Sequence, residues 1–272
     1  MTHNTSVLST LLAAASLASL PAVAGTTAET TTTAGKNPPP VVVEKETPFV
    51  TGFLAATYDT HFISYGQDVW AIGNDWSEAL IHPSLELNFN LGGGLSAYVN
   101  TWWDINDLAP SPIGGDIQEI DVNAGFYYTM DKWKFQLGYG AWIYAEQIEH
   151  IVDAKVSYND GLINPFLLLH GRVGDELSFD TGLVTQVGIA PGTTLGPVAL
   201  SFPLTVSFDT DNFHGGDAGF AYVSAGVGAT IPIVDHLSLA LGVTYYHTND
   251  DVIPGNPDSD FVTGSASLVV SF

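Results

Sequence analysis

The sequence predicts an all-β protein, a transmembrane antiparallel up-and-down β-barrel of about twelve strands, an even number, with both termini on the periplasmic side. The first observation is the C-terminal segment 261–272, in which apolar and small polar side chains alternate up to the final aromatic residue, Phe272. Successive side chains of a strand point to opposite faces, so this segment has one apolar face and one wettable face. A barrel strand that separates lipid from water needs this pattern. If the segment is considered alone, it could also be the last strand of a soluble β-sandwich.

The second observation is the N-terminus, where residues 1–24 are predicted to be a signal peptide. An apolar stretch at residues 7–20 is followed by Ala22 and Ala24, small residues at the two positions that a signal peptidase reads. Cleavage is expected after Ala24, although no Lys or Arg precedes the apolar stretch. Residues 25–47 are rich in Thr and Pro and are predicted to form a flexible periplasmic arm, which leaves residues 48–272 as the outer-membrane barrel.

Composition supplies the third observation. Outside the predicted signal peptide no apolar run reaches the 18 residues that indicate a helical span, yet 46% of residues are hydrophobic. The apolar residues must therefore be interleaved with polar ones. The absence of Cys excludes disulfides and a lipid-modified N-terminal Cys. A net charge of -23, from 29 acidic and 6 basic residues, argues against nucleic acid as a partner.

The period-2 pattern recurs along the barrel segment and predicts individual strands. The connections between them alternate between short turns, such as residues 92–94 and 131–132, and a set of mostly longer loops, such as 209–219 and 249–260. Long loops face outward in bacterial barrels, so the acid-rich long connections are expected to surround a negative outer mouth. Their carboxylates either bind divalent cations loosely or are simply solvated. The predicted strands span residues 49–65, 78–91, 95–106, 117–130, 133–146, 151–159, 164–174, 181–190, 197–209, 220–233, 237–248 and 261–272.

The polar face of the strand at residues 81–91 is expected to line the lumen. The turn at 92–94 would place His82 across from Asp104 and Glu86 across from Asn100, and Asp153 is the expected partner of Arg172. An excess of acids in a lumen favours cations. The alternative is a plugged interior in which these groups satisfy one another. The predicted pore-lining residues are His82, Glu86, Asn88, Asn100, Asp104, Glu119, Asp121, Lys155 and Arg172.

Aromatic residues near strand ends are expected to form the interfacial girdles of a membrane barrel, with single aromatics of a soluble sheet as the alternative. The predicted girdle residues are Trp103, Tyr127, Tyr128, Trp133 and Tyr245.

Three segments carry a resemblance to a known family: residues 50–66, residues 195–208 and residues 220–228, together with the terminal Phe272. They resemble the TorF-type porins, and the similarity covers most of residues 48–272. The family often has a basic residue before the first-strand glycine, where this chain has Tyr65 before Gly66. The resemblance implies an outer-membrane barrel of channel type and supplies no catalytic residues.

The sequence therefore predicts a porin-like channel in the cell outer membrane that passes small hydrophilic solutes and favours cations. A non-conducting structural or adhesive barrel and a rim hydrolase are the alternatives. No catalytic, metal or cofactor residues are assigned: His247, with Tyr245 and Ser238 near it in sequence, lacks a nucleophile motif. A metal-ligand pair of His214 and Asp217 in a Gly-rich loop is the weaker interpretation of that loop. The expected partners are outer-membrane lipid, the transported solutes and a second copy of the chain.

Overall fold

The computed structural model describes residues 48–70, 80–175 and 181–272. The predicted signal peptide and periplasmic arm lie outside the described residues. No helix in these three ranges is long and apolar enough to cross a membrane.

Twelve antiparallel strands form a closed barrel. Each strand pairs with its neighbour in sequence, and the last strand pairs with the first, with Leu54 opposite Val270. The antiparallel twelve-strand fold predicted from the sequence is therefore confirmed. The strands are β1 (Val50–Asp59), β2 (Leu80–Gly92), β3 (Leu95–Ile105), β4 (Ile117–Met130), β5 (Trp133–Tyr144), β6 (Gln147–Tyr158), β7 (Phe166–Asp175), β8 (Gly182–Ile189), β9 (Val198–Ser201 and Leu204–Asp209), β10 (Gly219–Val234), β11 (Leu237–Thr248) and β12 (Asp260–Ser271).

Both segments of β9 pair with β10, so they form one barrel strand interrupted at Phe202 and Pro203. A short additional strand, Gly192–Leu195, forms a hairpin with the first segment of β9. The interruption has a physical cause, because a proline has no backbone N–H to donate to the sheet.

The connections separate into two ends of the barrel, as the sequence predicts. At one end the first strand begins and the last strand ends, and there the amide of Gly52 donates to the carbonyl of Phe272 at 2.9 Å. The turns after β2, β4, β6, β8 and β10 lie at this end, which we call the turn end. The connections after β1, β3, β5, β7, β9 and β11 lie at the opposite end, which we call the loop end.

Two predicted strand boundaries are wrong. The first strand ends at Asp59 instead of residue 65, because the chain then forms a separate hairpin of Ile63–Ser64 with Gln67–Asp68. Its turn residues Tyr65 and Gly66 have φ of 45° and 97°, a left-handed pair that reverses the chain.

The sixth strand is also longer than predicted. It begins at Gln147 instead of residue 151, because Ala145 adopts φ 63° and closes a two-residue turn with Glu146. Glu149 is therefore a fully buried strand residue.

The barrel is apolar outside and polar inside. On β4 the outward-facing Val122, Phe126 and Met130 are exposed. The inward-facing Glu119 and Asp121, which precede them on the same strand, are buried. The same alternation on β12 exposes Val262, Leu268 and Val270. Since a soluble protein buries its large apolar side chains instead, this distribution indicates an apolar surrounding for the barrel wall.

Candidate functional site

The interior wall begins on β2 and β3, where the register brings polar side chains together. Glu86 pairs directly with Asn100, as the sequence predicts. His82 lies between two acids: its Nδ1 is 2.6 Å from Asp59 Oδ2 and its Nε2 is 3.2 Å from Asp104 Oδ1. The predicted contact of His82 with Asp104 is therefore confirmed, and Asp59 is an acidic partner that the sequence analysis missed.

Asp104 is satisfied by several donors besides His82. The indole N–H of Trp70 donates to its Oδ2 at 2.8 Å, and the Asn106 amide donates to its Oδ1 at 2.9 Å. On the next strand the carboxyl groups of Glu119 and Asp121 contact each other, and both residues are at most 2% exposed. This part of the wall is a packed polar network.

The pairing predicted for Arg172 is wrong. Arg172 forms an ion pair with Glu149, both side chains being fully buried, while Asp153 instead contacts His170, with Asp153 Oδ1 2.7 Å from His170 Nδ1. The register explains the exchange, because a bulge near His150 sets Arg172 opposite Ile151 and Asp153 opposite His170. The buried glutamate satisfies the only cation in this part of the interior that the structure describes.

Three loops fold into the loop end of the barrel and pack there. We call the inserted residues 60–70, 210–218 and 249–259 the plug. Phe62 packs on Trp102 with ring centroids 4.9 Å apart, and Tyr65 stacks on His170 at 3.9 Å. From the second loop, Phe213 lies 4.3 Å from the Arg172 guanidinium, which also donates to the Phe213 carbonyl at 3.0 Å.

Asn256 of the third loop connects the plug segments to one another. Its Oδ1 accepts from the backbone N–H of Asp68 at 2.8 Å, and its Nδ2 donates to the carbonyl of Gly66 at 2.9 Å. Asp68 faces His61, with Oδ2 3.7 Å from His61 Nε2, and burial raises the pKa of Asp68 to about 7. This first plug segment is thus held at the loop end by the hydrogen bonds with Asn256, by that from the Trp70 indole to Asp104, and by packing.

The predicted pore-lining residues all occupy the interior face, but in two environments. His82, Asn100, Asp104, Glu119, Asp121 and Arg172 lie toward the loop end and are at most 3% exposed, because the plug covers them. Glu86, Asn88 and Lys155 lie toward the turn end and are half-buried. Their role in lining a pore stays a prediction.

The plug residues themselves were missed by sequence reasoning. Phe213 is an isolated aromatic in a polar, turn-rich stretch, whereas Phe62 falls within the predicted first strand, and both are at most 3% exposed. An aromatic residue in an otherwise polar loop is the signal that could have indicated insertion into the barrel.

The predicted aromatic girdle is partly wrong. Trp103 and Tyr245 near the loop end and Tyr128 and Trp133 near the turn end are exposed on the outer wall. Tyr127 instead points inward and stacks on Tyr98 at 4.5 Å. Adjacent residues of a strand face opposite sides, so Tyr127 and Tyr128 cannot both face outward.

The structure places the residues of the weighed rim-hydrolase alternative as follows. His247 Nδ1 lies 3.0 Å from Asp260 Oδ1, and the Tyr245 hydroxyl donates to the same carboxylate. Ser238 lies nine residues from His247 on β11, roughly 30 Å away at about 3.3 Å per residue. His247 and Ser238 are therefore too far apart to act together.

The Gly-rich loop is explained without a metal. His214 Nδ1 lies 2.7 Å from Asp209 Oδ2, with both side chains fully buried, so its partner is not Asp217. Within the described ranges no group of three or more His, Asp or Glu side chains has an arrangement that could hold a metal ion.

Comparison with known proteins finds similar solved structures at low sequence identity. No protein-family model matches the chain, and no curated protein sequence matches. Among solved structures, the KdgM porin in complex with disordered oligogalacturonate is 8% identical, with 82% of this chain and 99% of that chain covered and a TM-score of 0.48. The NanC porin is 10% identical, with 81% and 98% covered and a TM-score of 0.47. Outer membrane phospholipase A from Escherichia coli is 14% identical, with 81% and 92% covered and a TM-score of 0.42. The TorF-type resemblance stays a prediction.

Proposed function

We propose that this chain is an integral barrel of the cell outer membrane and a porin-like channel for small hydrophilic solutes, with a preference for cations. The observation that carries the proposal is the inverted distribution of side chains, with an apolar outer wall and a polar, charged interior. Only a barrel surrounded by lipid gains from this arrangement, because exposed apolar side chains in water cost free energy.

The dimensions support a membrane location. Strands such as β5, β6 and β11 have 12 residues. Such a strand is roughly 40 Å long at about 3.3 Å per residue, and a tilt of about 40° reduces this to roughly 30 Å, the thickness of the hydrocarbon core. Outward aromatic residues at both ends, Trp103 and Trp133 among them, fit the two interfaces.

The interior charge supports the cation preference. Interior-facing acids of the described strands outnumber the interior-facing bases, which are Lys134, Lys155 and Arg172. A pore wall with excess carboxylates concentrates cations and repels anions. The acids are Asp59, Glu86, Asp104, Glu119, Asp121, Glu149, Asp153 and Asp209.

The plug makes conduction conditional. We propose that its packed side chains close the loop end, so that a solute path requires the inserted loops to move. The hairpin with Tyr65 is held chiefly by stacking on His170 and by Asn256, which involves no covalent link. The same packing favours a second candidate function, that of a non-conducting structural barrel. We propose no enzymatic activity, cofactor or nucleic-acid partner. Association of the chain into a homo-oligomer stays a prediction.

Two measurements test this proposal. Membrane fractionation should place the protein with the outer membrane, in a form that migrates differently on gels before and after heating. Deleting Phe272 should impair this assembly, because its carbonyl and amide both pair with Gly52 where the barrel closes. A water-soluble monomer obtained without detergent would contradict the membrane location.

Planar-bilayer recordings then separate channel from structural barrel. Discrete conductance steps support the channel, especially if they become larger or more frequent when the plug is weakened. No conductance from either the native protein or a plug variant would leave the structural barrel as the function.

A further inference from the structure

The basic side chains of the described residues are concentrated at the turn end. Three of the four, Lys132, Lys134 and Lys155, lie there, and the fourth is Arg172 beneath the plug. Lys134 and Lys155 face the interior and lie on neighbouring strands. Lys134 pairs with Ser157, and Lys155 pairs with Gln136. Lys134 and Lys155 are therefore diagonal neighbours, whose backbones lie about 7–8 Å apart. Both side chains can reach one small molecule at this distance.

Neither interior lysine forms an ion pair within the described part of the chain. The Lys134 ammonium instead lies 3.9 Å from the centroid of the Tyr127 ring, and the Lys155 ammonium lies 4.9 Å from that of Phe166. Cation–π contacts satisfy part of an ammonium group and leave its N–H donors available.

Two carboxylates of this wall lie near enough to interact electrostatically with the lysines, Glu86 with Lys134 and Asp153 with Lys155, but their hydrogen bonds go to other groups. Glu86 accepts from the Asn88 amide at 2.8 Å and from the Tyr127 hydroxyl at 3.4 Å. Asp153 contacts the ring of His170. The lysines therefore face a part of the lumen that is reachable from the turn end, since Lys134 is exposed and Lys155 is half-buried.

We propose that Lys134 and Lys155 form a binding site for small organic anions that carry carboxylate or phosphate groups and enter from the turn end. Each ammonium supplies a point charge and N–H donors to such a group. The Gln136 amide, which donates to the Tyr98 hydroxyl at 3.3 Å, and the stacked rings of Tyr98 and Tyr127 would contact the rest of the ligand. This site goes beyond the proposed channel, because a ligand can occupy it while the plug stays closed.

Calorimetric titration of the purified protein in neutral detergent at low salt tests the site, with citrate and inorganic pyrophosphate as separate probes. We expect a Kd on the order of 1 mM for at least one probe. Binding of citrate alone assigns carboxylates as the ligand chemistry, binding of pyrophosphate alone assigns phosphates, and binding of both assigns charge. Failure of both probes to bind the native protein overturns the proposal.

The variants separate a defined site from diffuse attraction. Lys134→Gln with Lys155→Gln should weaken binding at least tenfold, whereas Lys134→Arg with Lys155→Arg should retain it because both charges remain. Lys132→Gln is the matched control: Lys132 lies at the same end of the barrel, near the outward Tyr158 ring at 6.0 Å, and loses the same charge. Equal weakening by Lys132→Gln would overturn the proposal. Single Gln substitutions, each expected to weaken binding at least threefold, replace the double variant if it does not assemble.

Discussion

The Tyr65 ring stacks on the His170 imidazole with centroids 3.9 Å apart, and His170 also meets Phe213 edge-on at 5.9 Å. Two loops that are far apart in sequence therefore pack inside the barrel against one side chain of β7. On the proposed gating by the plug, a path through the loop end requires these rings to separate.

Weakening this contact should open the barrel. Tyr65→Ala removes a buried aromatic ring and should lower the free energy of unfolding by about 3 kcal/mol, while it increases conductance in planar bilayers. Gly66→Ala should act similarly, because a Cβ there would lie 2.4 Å from the Tyr222 ring and Gly66 has φ 97°. Tyr128→Ala, on the outer wall, is the control and should change neither quantity strongly. Unchanged conductance in both plug variants would contradict gating by the plug.

The buried ion pair of Arg172 and Glu149 should be necessary for stability as a pair. Arg172→Met alone leaves a buried carboxylate without its cation and should cost about 3–5 kcal/mol, measured as a lower temperature for the heat-induced gel shift. Arg172→Met combined with Glu149→Leu removes both charges and should recover most of this loss. A double variant as unstable as the single one would show that packing, and not charge, is what Arg172 contributes.

The plug should be held less firmly at alkaline pH. Burial raises the pKa of Asp68 to about 7, so the folded hairpin binds a proton that the unfolded hairpin releases above about pH 4. The stabilisation is therefore full at low pH and is lost as pH rises through 7. The protection factors of the residue 60–70 amides, which are exchange rates corrected for the intrinsic rate at each pH, should be lower at pH 8 than at pH 6.

Asp68→Asn should remove this dependence, because an amide does not titrate. The only titratable side chain in contact with Asp68 among the described residues is His61, whose pKa is lowered by burial. His61→Gln therefore serves as the control and should retain the difference between pH 6 and pH 8. Equal or higher protection factors at pH 8 than at pH 6 in the native protein would contradict the assignment to Asp68.

Ion selectivity should depend on the interior acids. With a potassium chloride gradient across a bilayer, the reversal potential should indicate preference for K⁺ over Cl⁻, in the native protein or in Tyr65→Ala. Glu86→Gln with Asp121→Asn should reduce this preference, because both side chains face the interior. Asp235→Asn removes a charge in the turn after β10 and is the control. Anion preference would refute the assignment of these acids to the pore wall.

The orientation of the barrel can be tested with inserted epitope tags. Gly215 and Gly255 are exposed at the loop end, and Gly93 is exposed in a turn at the other end. Tags at the first two positions should be accessible on intact cells, and a tag at Gly93 should not. The reverse result would place the loop end in the periplasm.

The barrel fold and its strand pattern could be predicted from the amino-acid sequence. Period-2 alternation requires only local chemistry, so the strand at residues 81–91 and the terminal strand ending at Phe272 could be assigned without tertiary information. The register of one hairpin also followed, since the turn at residues 92–94 places Glu86 opposite Asn100.

The packing of the plug inside the barrel depends on tertiary contacts. Whether Phe62, Tyr65 and Phe213 point into solvent or into the interior depends on long-range contacts with β3 and β7, which no local pattern encodes. The partner of Arg172 likewise depended on a bulge near His150 that shifts one strand against the next. Alternation states which face a side chain occupies, whereas only the packed fold sets which groups on that face meet.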